Sequence, residues 1–221
     1  MTKAFGRKQR TTLDTPENPY TLAQWRRSVA ELYAQVRRSS AAEPLKTWRA
    51  FRESKNDLLR QHPQSPLDNE SRRNFRGLDY FPYNPVFRTK GTIRMDIDRV
   101  GEKMDLARDG LLHYTKVGVV DFKIEDQKAS LNIYWINGYG GGIFLPFQDA
   151  TSGVETYDGG RYLYDTIKGV DLGVMGETML LDFNYAYNPS CAYDEKWVCP
   201  LSPKENRLAL AIEAGEKAYS P

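Results

Sequence analysis

The sequence predicts an α+β fold: two to three N-terminal α-helices followed by a mainly antiparallel β body, barrel or sandwich. Three observations predict it. Apolar residues recur at helical spacing up to about residue 76. From residue 86 the period drops to two, in short runs separated by turn residues. No helical pattern intervenes between those runs, and closely spaced strands without crossover helices pair antiparallel. Residues 1–17 read as a mobile tail, 18–76 as a basic helical segment packed on the body, and 77–221 as the β domain.

The first helix opens at "YTLAQW". Thr21 is expected to cap it with Gln24 reaching back, while Tyr20 and Trp25 form a hydrophobic staple. Trp25, Val29, Leu32, Tyr33 and Val36 then form one stripe. A second helix over 44–60 turns Leu45, Trp48, Phe51, Leu58 and Leu59 inward, and Pro63 ends it. "SPLDNESRRNF" predicts a short third turn capped by Ser65, with Pro66 at its first position and Asp68 in its first turn.

In the β body, Ile93, Met95 and Ile97 alternate with Thr92, Arg94 and Asp96, the pattern of a half-buried strand. "VGVVDFKI" changes phase near Val119–Val120, which predicts a bulge. Leu131, Ile133 and Trp135 resume the alternation after a turn at Asp126-Gln127. Strands also follow at Ile143–Phe147, Tyr162–Tyr164 and Met179–Tyr185. In "LALAIEAGE" the alternation of Leu208, Leu210 and Ile212 favours a strand over a helix.

The chain's 221 residues bound one domain with a full core, or one domain with an extension. No run approaches the roughly 18 apolar residues of a membrane span, and the start lacks a hydrophobic signal core. A cytoplasmic location without membrane partners is therefore expected. The net charge of +2 hides an asymmetry: residues 1–76 carry 16 Lys and Arg against 8 Asp and Glu, the remainder 15 against 21. A basic arm can bind an acidic partner or nucleic acid. Here the Arg residues lie scattered at helical surface positions, so a solvated helix face, or a helix docked on its own acidic domain, is favoured.

Several motifs fail on detail. "NGYGGG" lacks the Gly-Lys-Ser/Thr of a phosphate loop and the third Gly of a dinucleotide fingerprint, and reads as a hairpin loop. His62 and His113 are too few and too far apart for a histidine metal site or a nucleophilic triad. Cys191 and Cys199 lack zinc-knuckle or CxxC spacing, so no metal site is predicted. Both are expected to be thiols, Cys191 buried and inert, Cys199 more accessible.

The C-terminal third carries "FQDATSGVETYDGGRYL", "LDFNYAYNPSCAY" and "WVCPLSPKENRLALAIEAGEK" in that order, preceded by "GLDYFPYNPVFR". These segments resemble the family called domain of unknown function 1684, over roughly residues 80–217. Ser190 and Ser202 stand where that family often has proline. The resemblance implies a bacterial or archaeal protein and supplies no reaction.

The residues themselves suggest where chemistry would lie. Strand alternation through "LLDFNYAYN" sets Leu181, Phe183, Tyr185 and Tyr187 on one face, with Asp182, Asn184, Ala186 and Asn188 on the other. Buried Asp182 and Asn184 need partners, and Arg161, Arg207 and Tyr157 are the expected ones. Adding Asp149, Ser152, Glu205, Asn206 and Glu216, with Tyr187, Asn188 and Trp197, describes a polar-floored pocket for a small molecule. Paired carboxylates there would permit acid–base chemistry. A structural reading stands beside it: "SPKE" is itself a capping box, Asn188-Pro189 a turn signal, and Asp149 with Thr151 and Ser152 an Asx-type turn. A third reading makes the chain an interaction module that works through its basic helices. No catalytic residue, cofactor or oligomeric state is legible.

Overall fold

The computed structural model describes residues 18–106 and 110–220, so the expected N-terminal tail lies outside the described residues. Helix α1 (Pro19–Ser39) begins two residues before its expected cap. Asn18 caps it, accepting from Tyr20 N at 3.0 Å and Thr21 N at 3.3 Å, with Pro19 pre-set at the first position. Tyr20 is exposed, so no staple forms; Trp25 packs edge-on against His62 instead. Helix α2 (Pro44–Gln61) follows the expectation and buries Trp48, Phe51 and Leu59, each worth about 1.5–3 kcal/mol. Leu45 points outward, contrary to expectation. In α3 (Asn69–Asn74) the cap is Asp68, which accepts from Glu70 N and Ser71 N, and not Ser65.

The body is one eight-stranded antiparallel sheet curled into a half-barrel, neither a closed barrel nor a sandwich. Its strands are β1 (Arg88–Arg94), β2 (Gly101–Asp105), β3 (Leu111–Ile124), β4 (Gln127–Ile136), β5 (Gly142–Phe147), β6 (Arg161–Asp165), β7 (Val174–Met175) and β8 (Thr178–Asp182). The order is β6-β5-β4-β3-β1-β8-β7, with β2 paired to β3. β1 stops at Arg94, and Met95, expected inward, is exposed. The β3–β4 hairpin pairs Ile124 with Gln127 and turns through Glu125-Asp126, Glu125 taking a positive φ of 51°. Its bulge falls at Val117, between the pairs Lys116–Tyr134 and Gly118–Ile133, slightly ahead of the expected place. "NGYGGG" is the loop of the β4–β5 hairpin, as expected.

One expected strand is cut short and another is absent. The run 183–185 is a single 3-10 turn after β8, and "LALAIEAGE" is irregular chain. The latter runs beside the end of β5, with Leu208 N donating to Gln148 O and Ala150 N to Leu210 O. A single apolar cluster joins Tyr33 and Val36 of α1 and Trp48 and Phe51 of α2 to Val120, Leu131, Leu145, Phe147, Met179 and Leu181 of the sheet. The basic helices are thus part of the core. Arg37 also pairs with Asp171 at 3.3 Å, and Arg52 lies 4.6 Å from the rings of both Trp48 and Tyr80.

Candidate functional site

The motif residues do not converge on one pocket; they form three buried networks. In the first, Arg161 opens β6 behind Gly160, whose φ of 89° and close approach to Phe147 O exclude a side chain. Arg161 is fully buried. Its Nη1 donates to the carbonyls of Ala214 and Glu216, and its Nη2 to Ile212 O at 2.9 Å and Asp149 Oδ1 at 3.4 Å. Nε finds no oxygen, and the guanidinium lies 5.2 Å from the Phe147 ring. Burial lowers the Arg161 pKa, while Asp149 pulls it back up. Asp149 also accepts from Ile212 N at 2.6 Å and from the hydroxyls of Thr151 and Ser152. The Asx-type turn and the buried ion pair therefore coexist at one carboxylate.

In the second network Glu216 receives four donors. They are Lys55 Nζ, Tyr80 OH at 3.0 Å, Asn188 N at 2.8 Å and Tyr193 OH at 2.7 Å. Gly215 makes this possible: at φ 79°, a Cβ there would stand 2.6 Å from Ala186 O. Burial and the Glu216 charge push the Tyr80 and Tyr193 phenols well above their ordinary value.

Asp182 anchors the third network, and its expected partners Arg161, Arg207 and Tyr157 are not there. Arg88 Nε stands 3.3 Å from Oδ2, near enough for an ion pair but not aligned for a hydrogen bond. Asn184 donates its N and its side-chain amide to Oδ1. Asn184 also bonds both polar backbone groups of Asn84. The two-face alternation fails because the chain leaves the strand at Asp182, and Asp182 through Ala186 are all buried.

Burial pushes the Asp182 carboxyl up to about 6 from its ordinary 3.8, against the pull of Asn184 and Arg88. The folded state then holds this proton more tightly than the unfolded chain. That contribution is complete below pH 3.8 and is lost as pH rises to about 6. Its size is on the order of 3 kcal/mol, at about 1.4 kcal/mol per pH unit. Wild-type stability is expected to fall relative to Asp182→Asn across that window, leaving the variant no less stable at pH 7. Urea denaturation at pH 4 and pH 7 checks this; a pH-independent difference would refute the buried, proton-binding state.

Asn206 is a separate clamp, accepting from Asn132 N and donating to Asn132 O and Pro146 O. Glu205 and Arg207 are exposed and join no network, and "SPKE" forms no capping box, since Pro203 occupies the cap position. Trp197 is partly exposed, its Nε1 held by Pro66 O. Tyr157 lies apart from the acids, its hydroxyl 3.6 Å from Cys191 Sγ. The thiols reverse their expected burial: Cys199 is buried and Cys191 half-buried. Among the described residues no group of three or more His, Cys, Asp and Glu is placed to hold a metal ion.

A cavity of about 80 Å³ lies between the two long helices and the chain at 187–193. Val29 and Leu32 of α1, with Phe51, Leu58 and Leu59 of α2, make its apolar wall, and Lys55 and Lys168 also line it. Of the candidates named from sequence, only Tyr187 and Asn188 reach it. Each of these two residues also holds a buried oxygen without a hydrogen-bond partner, the Tyr187 hydroxyl and Asn188 Oδ1. The wall residues carried no sequence signal beyond helical core spacing.

Fold and networks together define an α+β half-barrel whose irregular segments are locked by buried polar side chains. Residues 73–217 match the family model described as Protein of unknown function (DUF1684), and the chain belongs to that family. It is also similar to an uncharacterised protein of Haloarcula marismortui with a solution NMR structure. The two share 31% identity at a TM-score of 0.56, covering 78% of this chain and 92% of the other. No curated protein matches the chain. No described helix is long and apolar enough to cross a membrane.

Proposed function

We propose that the chain binds a small neutral molecule with an apolar body and a hydroxyl-type head in the cavity beneath α1 and α2. One observation carries this reading: an apolar cavity lined in part by Tyr187 and Asn188, each of which holds a buried oxygen lacking a partner, Tyr187 OH and Asn188 Oδ1. Unmet buried polar groups cost about 1–3 kcal/mol each, and a ligand or ordered water would recover that. The Asn188 oxygen needs a donor, while the Tyr187 hydroxyl can donate or accept. A hydroxyl serves both. The nearby charges offset one another, Lys55 against Glu216 and Lys168 against Asp165 at 3.5 Å, which favours a neutral head. A volume of 80 Å³ is below the roughly 150 Å³ that holds benzene in an engineered core, so a group of a few atoms enters and any remainder stays outside.

NMR titration with isobutanol and 2-propanol, using isobutane as the hydroxyl-free control, tests the proposal. The methyl signals of Val29, Leu32, Leu58 and Leu59 are expected to shift with the alcohols. Val29→Phe should abolish the response, and Tyr187→Phe should erase the preference for isobutanol over isobutane. Unmoved methyls, or shifts that survive Val29→Phe, would overturn it.

A further inference from the structure

Outside the cavity and the three networks, one cluster of reactive groups is unexplained. The chain between Asn188 and Pro200 doubles back so that Cys191 N donates to Cys199 Sγ at 3.3 Å. Each thiol perturbs the other's ionisation. Tyr157 brings its hydroxyl to 3.6 Å from Cys191 Sγ, and the Lys168 charge favours the thiolate at either sulfur. Both cysteines are free, the half-buried Cys191 reachable and Cys199 tucked behind it. Two inert core thiols would need neither a phenol nor a cation beside them.

We propose that Cys191 and Cys199 form a redox-active dithiol, in which Cys191 attacks a small hydroperoxide and Cys199 then closes a disulfide with it. In the first step the Cys191 thiolate attacks one peroxide oxygen and the O–O bond breaks. The alkoxide or hydroxide leaves and takes a proton, and the sulfur, oxidised by two electrons, becomes a sulfenic acid. In the second step the Cys199 thiol gives up its proton and attacks that sulfur. The S–S bond forms and hydroxide departs as water. One hydroperoxide and two thiols thus yield a disulfide, an alcohol or water, and one further water.

The surroundings suit these roles. The groups acting on Cys191 are Cys199, Tyr157 and Lys168, the last itself paired with Asp165 at 3.5 Å, and Asp158 acts on the Tyr157 phenol. Contact with the Cys199 thiol, the Tyr157 hydroxyl and the Lys168 charge together outweigh burial, and hold Cys191 below its ordinary range, at about 6. Cys199 is pushed up, so it stays protonated until the sulfenic acid forms. This places the thiolate on the more accessible sulfur, where a nucleophile is useful.

The test uses the reduced full chain, treated with a few equivalents of hydrogen peroxide, quenched with N-ethylmaleimide and mapped by peptide mass spectrometry. A Cys191–Cys199 crosslink with loss of two hydrogens is expected. Cys199→Ser should accumulate a dimedone-trapped sulfenic acid on Cys191, and Cys191→Ser should trap none. Before oxidation, iodoacetamide at pH 7 should label Cys191 about tenfold faster than Cys199, with a smaller ratio in Tyr157→Phe. The proposal fails if both thiols of the folded wild type remain alkylatable after peroxide. It fails equally if a folded Cys199→Ser variant traps nothing, or if oxidation begins on Cys199.

Discussion

Arg161→Met is expected to lower the unfolding free energy by about 3–5 kcal/mol, the largest single-site effect in the molecule. Methionine fits the space but supplies no donor. The Asp149 carboxylate, fully buried, would lose its cation, and the carbonyls of Ile212, Ala214 and Glu216 would lose their shared guanidinium. A buried charge without a partner costs far more than the intact pair contributes, which is why breaking the pair is the sensitive experiment. The companion change Asp149→Asn on the Met background should recover part of the loss, because it removes the stranded charge. Equilibrium urea denaturation of both variants checks the pair. A loss under about 1 kcal/mol for Arg161→Met would mean that water reaches the carboxylate.

Glu216→Gln comes second, with an expected loss of about 3 kcal/mol. Glutamine keeps the shape but offers one acceptor oxygen where four donors now meet two. Its amide would face either the Asn188 N–H and Tyr193 hydroxyl or the Lys55 ammonium and Tyr80 hydroxyl. Lys55, with 15% of its side chain exposed, would also be left uncompensated. The double variant Lys55→Met with Glu216→Gln is expected to be more stable than Glu216→Gln alone. Strict additivity of the two changes in a thermal or urea cycle would contradict the ion pair.

How far the sequence could carry this picture depended on where local pattern and tertiary contact agreed. The α2 stripe, the alternation of Leu131 and Ile133, and the hairpin turn expected at Asp126-Gln127 are local signals, and each element formed close to its expected place, the turn one residue earlier at Glu125-Asp126. The alternation through 181–188 misled because every residue from Leu181 to Ala186 is buried, so a period of two no longer separates inside from outside. The irregular 208–216 segment looked like a strand because Leu208 and Ile212 are core residues, yet side chains as much as ladder partners hold it. Asp149, Arg161, Asp182, Asn184, Asn206 and Glu216, singled out from the sequence, are all buried, but their pairing was not legible. Arg88 and Lys55 sit far from their acids in sequence and carry no mark beyond their charge. The cavity was hidden for a similar reason: its wall comes from separate segments, each read as ordinary core.

The arrangement at β6 bears on how the end of the sheet is shielded from pairing with another chain. β6 ends the sheet path, and all five of its residues are buried. A buried terminal strand of that kind, once uncovered, is a template for another chain. Its free side is occupied from within: Tyr162 and Tyr187 exchange both backbone hydrogen bonds, and Asp165 does the same with Val170. The segment guarding that edge therefore begins at Tyr187 and leads directly to Asn188, Cys191 and Tyr193. Whatever loosens it, whether loss of the Asn188 and Tyr193 bonds to Glu216 or a strained crosslink, uncovers a strand ready to pair with its own kind. Fibrillar or soluble aggregates would then appear before global unfolding, and the tyrosine-rich stretch that draws attention as a binding site doubles as the protein's barrier to polymerisation.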